Sequence, residues 1–168
     1  MRVRSFARGY RGEVVPWLLM LPLLFFLFFF AAVYLHLDAV RAGVALAARE
    51  GAREYGVQLG QLDPSTALSA ARGRVRLTLV REGLLAPQDS LLPPGQAPPQ
   101  GRRGASAEFW DSGEWVGCAV TYYLPCPLPG LPRLLPELAR PDPDGPWWRS
   151  KGHFVFRVAA SAKKEYRQ

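Results

Sequence analysis

The sequence predicts an α+β fold: a long N-terminal helix, half transmembrane and half stalk, then a second helix and a small antiparallel three-stranded sheet. Three observations predict it: one uninterrupted apolar segment near the N-terminus, apolar residues at helical spacing after it, and alternating segments in the second half. We divide the chain into a basic, cytoplasmic N-terminus at 1–13 and a transmembrane helix at 14–37. Residues 38–168 form an extracytoplasmic stalk helix and a small α+β domain with proline-rich loops.

The apolar segment runs for 22 residues, from Val14 to Leu35, without an ionisable side chain. As a helix it would be ~33 Å long, enough to cross a hydrocarbon core of ~30 Å. The residues that define this membrane anchor are Val14, Trp17, Pro22, Phe25, Phe28, Phe30 and Tyr34. A cleaved secretory signal is the alternative, but its apolar region is about 7–15 residues long and ends at an A-x-A-like site. The sequence from Val33 to Asp38 contains no such site.

Charge predicts the orientation. Arg2, Arg4, Arg8 and Arg11 precede the apolar segment, and basic residues stay on the cytoplasmic side of a membrane helix. The single-pass chain would therefore lie in the cell membrane with its C-terminal part outside. The net charge of +7 could suggest nucleic acid as a partner. Because the basic residues form no cluster, we predict no nucleic-acid binding.

The apolar helix is predicted to continue outward as a stalk. The segment from Asp38 to Tyr55 is rich in good helix formers, and Val40, Val44 and Ala47 follow helical spacing. Glycines at 56 and 60 are expected to end the helix. The narrow stripe of small residues would suit close packing against another element.

A second helix is predicted from Pro64, with Asp63 as its N-cap. Leu68, Ala71, Val75 and Leu79 share one helical face. Residues 74–80 also alternate like a strand, so a strand there is the alternative.

The sheet is predicted from three alternating segments. Glu108 to Trp110 and Trp115 to Leu124 form a hairpin around Asp111–Ser112–Gly113, and His153 to Ala162 forms the last strand. The segments at 86–104 and 125–147 are rich in proline and are predicted to be loops. The apolar face of the sheet needs a cover, and the stalk stripe is the natural candidate.

Cys118 and Cys126 form a candidate disulfide, because an extracytoplasmic location permits one. A continuous strand between them would separate their Cα atoms by ~26 Å, whereas a disulfide needs about 5.5–6 Å. The bridge and the full-length strand exclude each other unless the chain turns sharply near Pro125. Both alternatives remain open at this point, together with a bridge to a partner.

The sequence contains no pattern of catalysis or of cofactor or metal binding. His36 and His153 are isolated, and no phosphate-binding, dinucleotide-binding or nucleophile motif occurs. Asp142 and Asp144 lack the later ligands of a calcium loop. Trp147 and Trp148 could form a binding patch, although anchoring the last strand suits them better. We predict a non-enzymatic protein without cofactor, metal or small-molecule substrate.

Four segments resemble the TadE-like family, the minor pilins or pseudopilins of tight-adherence pilus systems. They are the Leu-Pro-Leu-Leu element within Gly12–Leu24, Ala-Ala-Arg-Glu-Gly-Ala-Arg at 47–53, Val-Thr-Tyr-Tyr-Leu-Pro at 120–125, and Val-Ala-Ala-Ser-Ala at 158–162. The resemblance covers most of the chain apart from the proline-rich loops. It implies a structural component of a pilus or secretion system, with the bilayer, other pilin-like or TadE-like subunits and pilus assembly machinery as partners.

The resemblance also implies a candidate processing site at Gly9, Tyr10, Gly12 and Glu13. Pilin-type precursors are usually cut after a glycine, with a glutamate at the fifth position of the mature chain. A cut after Gly9 places Glu13 fourth, and a cut after Gly12 places it first. Two other functional classes remain: a permanently anchored extracytoplasmic binding module or adhesin, and an anchored enzyme or enzyme subunit.

Overall fold

The computed structural model describes residues 11–99, 101–126, 139–140 and 152–165, with side chains from residue 17 onward except those of 139 and 140. The chain divides into two units, residues 1–39 and residues 40–168. The described part of the first unit is helical throughout. The second is an α+β domain, as the sequence predicted.

Two helices come first in the chain. Helix α1 runs from Arg11 to Leu59 and helix α2 from Pro64 to Arg81. The strand alternative for residues 74–80 is therefore wrong. Burial explains the outcome, because Val75 and Leu79 are fully buried whereas Leu77, which a strand would place on the same face, is 61% exposed.

Helix α1 continues through Gly56 and ends just before Gly60, so only the second of the two expected stop signals ends it. The glycine at 56 serves packing instead. A Cβ there would lie 3.1 Å from both the carbonyl oxygen of Lys163 and Cγ2 of Val116. The small residue lets the helix approach the sheet.

Three long antiparallel strands form the sheet: β1 from Gly104 to Ser112, β2 from Trp115 to Pro125, and β4 from His153 to Lys163. A two-residue strand, β3 (Ala139–Arg140), pairs with the start of β4. The strand order is β1-β2-β4-β3. In this register Phe109 lies opposite Cys118, and Cys118 opposite Ala160.

Strand β1 begins four residues earlier than predicted, inside the segment assigned to a loop. Its first four residues, Gly-Ala-Ser-Ala, have low strand propensity, but they are all buried. Pairing with residues 120–123 of β2 makes them a strand. Leu92 also joins this end, because its N–H donates to the carbonyl of Ala105 at 2.7 Å.

The core lies between the two helices and one face of the sheet. The predicted stripe on α1 is buried at Val40, Val44, Ala47, Ala48 and Ala52, and Tyr55 extends it. The ring of Tyr55 contacts that of Phe109 at 5.3 Å between centroids, in a cluster with Ala71 and Val116. The stalk half of α1 therefore covers the sheet, as the sequence predicted.

Helix α1 lies close to both α2 and β2 at Gly51. A Cβ there would overlap Cγ2 of Val75 on α2 and lie 3.1 Å from the sulfur of Cys118 on β2. Both neighbours are fully buried, so neither can move without disturbing the core. Only glycine fits this contact among three elements.

Tyr122 joins the other end of the sheet to α2. Its buried hydroxyl donates to the carbonyl oxygen of Leu84, just beyond the helix, at 2.8 Å. Burial raises the pKa of Tyr122, so the hydroxyl keeps its proton and stays a donor.

A pair of glycine substitutions tests the packing of α1. Gly51→Ala should lower the free energy of unfolding, because overpacking costs about 1–3 kcal/mol and outweighs the gain in helix propensity. Gly73→Ala, on an open face of α2, should raise it by about 0.5–1 kcal/mol. Urea unfolding of the full chain in detergent measures both. Equal effects of the two substitutions would contradict the packing described.

The N-cap of α2 gives a second test. Hydrogen bonds from the hydroxyls of Ser65 and Thr66, and from the N–H of Thr66, lower the pKa of Asp63 from 3.8 to about 2. The carboxylate therefore stabilises the fold fully above pH 3.8, and this contribution disappears as the pH falls towards 2.

The matched variant is Asp63→Asn, which keeps a capping oxygen but does not titrate. Its stability deficit relative to the wild type should be largest at neutral pH and should shrink as the pH falls through the range 3.8 to 2. Urea midpoints at several pH values measure the difference. A deficit that does not change with pH would show that the charge of Asp63 plays no part.

Candidate membrane anchor and exposed surface of the domain

Among the described residues, α1 is long and apolar enough to cross a membrane. Its most apolar stretch of 18 residues has a mean hydropathy of 2.6, and none of these residues is buried. A water-facing helix could not expose such a surface without aggregating. The N-terminal half of α1 therefore fits a membrane anchor.

The predicted anchor residues all lie on α1. The exposed ones are Trp17, Pro22, Phe25, Phe28, Phe30 and Tyr34. Val14 lies in the first turns of the helix, where only the backbone is described. Neighbouring phenylalanines contact each other edge to face, with ring centroids of Phe25 and Phe26 6.4 Å apart and those of Phe29 and Phe30 6.0 Å apart.

Of the candidate processing site, Gly9 and Tyr10 lie outside the described residues. Gly12 and Glu13 follow Arg11 in the first turn of α1. The backbone at these two positions is therefore helical, and their side chains are not described.

The surface of α1 changes at Val40. Before it, nearly every described side chain is exposed, whereas after it buried and exposed residues alternate at helical spacing. The exposed stripe of the second half contains Ala42, Leu46, Arg49 and Arg53. The first half of this helix is thus apolar and exposed. The second half carries a stripe of small buried residues that forms part of the domain core.

The two cysteines are not joined by a disulfide. Strand β2 is continuous up to Pro125, so Cys118 lies in its middle and Cys126 directly after its end. The extended-strand alternative is therefore the one realised, and the candidate disulfide is corrected. Burial raises the pKa of Cys118 to about 12, so its thiol stays protonated and unreactive at neutral pH.

His153 is a structural residue at the start of β4. Its Nε2 lies 3.0 Å from the carbonyl oxygen of Arg102, and its ring meets that of Tyr123 edge to face at 6.2 Å. His36 lies alone on α1. Within the part of the chain that the structure describes, no three His, Cys, Asp or Glu side chains come together to hold a metal.

A polar cleft of about 620 Å³ opens beside the end of α2, between Ala86, Asp89, Arg102 and Arg103. Two of its charged side chains hold the loop in place. Arg103 donates to the carbonyl of Gly83 at 3.3 Å, and the carboxylate of Asp89 accepts the N–H of Ala86 at 3.3 Å. These two charged side chains therefore serve the structure of the loop that lines the cleft.

The sheet face away from the helices, which we call the outer face, is the most distinctive exposed surface of the domain. Side chains alternate along β2, so Trp115, Gly117 and Ala119 point to this face while Val116 and Cys118 enter the core. Trp110 of β1 lies opposite Gly117 in the register. Trp110 and Trp115 are both exposed.

Sequence reasoning looked for a tryptophan patch at Trp147 and Trp148, which lie outside the described residues, and did not single out Trp110 and Trp115. A usable signal was present. Gly117 interrupts a strand-forming segment, and an isolated glycine within a strand often marks a close approach of another group.

Comparison with protein-family models, with curated proteins and with solved structures gave no match for this chain.

Introducing arginines into the apolar half of α1 tests its role as a membrane anchor. The fifteen Leu, Phe and Val residues from 14 to 35 would favour insertion by about 4–9 kcal/mol if each lay at the bilayer centre. Each central arginine costs about 2.5–3.5 kcal/mol. Phe25→Arg alone should therefore still insert, whereas Phe25→Arg with Phe28→Arg should cancel most of the driving force.

Alkaline carbonate extraction of cell membranes measures insertion, with Phe25→Leu and Phe28→Leu combined as the control. The double arginine variant should appear in the soluble fraction or be degraded, and the leucine control should stay in the membrane pellet. Full retention of the double arginine variant would contradict an anchor centred on these residues.

Proposed function

We propose that this chain is a non-enzymatic, membrane-anchored component of a pilus or secretion system in the cell envelope, of the pilin-like kind. The observation that carries the proposal is α1, a single helix of 49 residues. Its first half is apolar and exposed, and its second half is the core helix of a small α+β domain. A subunit of this design needs no catalytic site, because it works by holding a domain at a membrane and packing against other subunits.

Charge supports the orientation within this proposal. Four arginines precede the apolar half, and the basic end of a single-pass helix stays in the cytoplasm. Residues 40–168 then face the outside.

The TadE-like motifs in the sequence support the pilin-like part of the proposal. In the structure, the Ala-Ala-Arg-Glu-Gly-Ala-Arg segment at 47–53 contains Gly51, which contacts both α2 and β2. The segments at 120–125 and 158–162 lie in β2 and β4, which pair with each other. Three of the four segments thus lie within one domain.

The second candidate function is a permanently anchored binding module or adhesin. The exposed tryptophans of the outer face favour it, because large aromatic side chains are enriched in binding surfaces. The two functions differ in whether the N-terminus is processed. A pilin leaves the membrane after cleavage, whereas a permanent anchor keeps its N-terminal segment.

The mass of the N-terminal peptide separates the two functions. The protein is isolated from membranes of the native host and from surface material released by shearing. We expect a mature chain that begins at Tyr10 or at Glu13, with some of it in the sheared fraction. An intact N-terminus found in membranes alone would contradict the pilin-like function and favour the anchored module.

Two matched variants identify the cleaved bond. Gly9→Leu should abolish a start at Tyr10 and leave a start at Glu13 unaffected, and Gly12→Leu should do the reverse. Neither residue belongs to the core of residues 40–168, so the domain should fold equally well in both variants. Unchanged processing in both variants would show that cleavage follows another signal.

A further inference from the structure

The outer face of the sheet displays two indole rings at one end. Trp110 on β1 is 39% exposed and Trp115 on β2 is 52% exposed. They are diagonal neighbours, because Trp110 lies opposite Gly117 and Ser112 lies opposite Trp115 in the ladder. Two large aromatic side chains on one sheet face thus stay in contact with solvent.

The ring of Trp110 lies flat on the sheet. A Cβ placed on Gly117 would overlap the ring at Cε2 and Cζ2, and Nε1 lies almost as near. The glycine therefore provides the space in which one face of the indole rests on the β2 backbone. The Trp110 side chain is still 39% exposed, so part of it can contact a ligand.

Hydroxyl and charged groups surround the rings without leaving a net charge. Glu108 pairs with Arg157 at 3.0 Å and Glu114 with Lys163 at 3.9 Å. The hydroxyl-bearing residue Ser161 lies opposite Gly117 on β4. In these described pairs two acids balance two bases, which gives no preference for a polyanion or a polycation.

The position of the rings separates them from the start of the domain. The carbonyl of Lys163 and the side chain of Val116, which neighbour Trp115, contact α1 at Gly56. Gly56 lies sixteen residues beyond Val40 on the same helix, a distance of ~24 Å.

These observations define the chemistry of a partner. A flat aromatic surface with neighbouring hydroxyl and paired charged groups suits the C–H faces and hydroxyl groups of a pyranose ring. A nucleic acid would need uncompensated cations. The centre of a protein interface is depleted of charged residues, whereas here charged pairs lie beside both rings.

We propose that the outer face, with Trp110 and Trp115 as stacking platforms, binds a neutral saccharide chain. The inference does not depend on the proposed pilin-like function, because the site lies within residues 104–163. Trp110 would stack on one sugar ring and Trp115 on another. Ser161 and the Glu108–Arg157 pair would form hydrogen bonds with the hydroxyl groups.

The test measures binding of cellohexaose and chitohexaose to the full chain by isothermal titration calorimetry. Lauryldimethylamine oxide is the detergent, because maltoside detergents carry sugar headgroups. We expect saturable binding of at least one saccharide, and a loss of at least about tenfold in affinity, or ~1.4 kcal/mol, in Trp110→Ala and in Trp115→Ala. Trp110→Phe and Trp115→Phe should restore most of the affinity.

Leu77→Ala is the matched control, since Leu77 is an exposed apolar residue on α2, away from the outer face. Trp115→Ala keeps the test valid if Trp110→Ala disturbs the fold, because Trp115 does not cover a glycine. Absence of saturable binding to both saccharides at millimolar concentration would overturn the proposal. So would equal binding by the wild type and both alanine variants, or alanine variants that change only self-association in sedimentation analysis.

Discussion

The close approach of α1 to α2 and β2 at Gly51 is the contact on which the rest of the domain depends. A stripe of small residues lets the helix backbone lie near the sheet, and fully buried Val75 and Cys118 fill the space on either side. A larger residue would push α1 away from both elements and open the core between Tyr55, Phe109 and Val116. The continuity of α1 through Gly56 follows from the same requirement, because there the helix must approach Val116 and the backbone of Lys163.

One helix therefore meets two different physical requirements. Its first half has a surface suited to hydrocarbon, and its second half is a narrow ridge suited to a protein core. The helix Arg11–Leu59 is continuous in sequence through both units. At one end of the outer face Trp110 and Trp115 remain exposed. Stacking on these tryptophans would add recognition to the domain.

Much of this architecture could be predicted from sequence, and the failures have physical causes. The apolar segment, the N-cap at Asp63 and the alternation of β4 are local signals that depend on few residues. The start of β1 was missed because Gly104–Ala107 become a strand through burial and pairing, not through propensity. The outer face was missed because the proximity of Trp110 to Gly117 depends on strand register, which no local pattern specifies. The disulfide question needed the length of β2, which the structure supplies.

Accessibility of single cysteines along α1 tests the central claim most directly. Leu21, Leu27, Ala42 and Leu46 are replaced one at a time, and intact spheroplasts are treated with a membrane-impermeant maleimide. The native cysteines are both buried, so they should give little background. The account predicts labelling from outside at positions 42 and 46, which lie on the exposed stripe, and none at 21 and 27. Labelling at position 27, or labelling at 42 and 46 only after lysis, would contradict a helix that anchors the chain in the membrane and carries its domain outside.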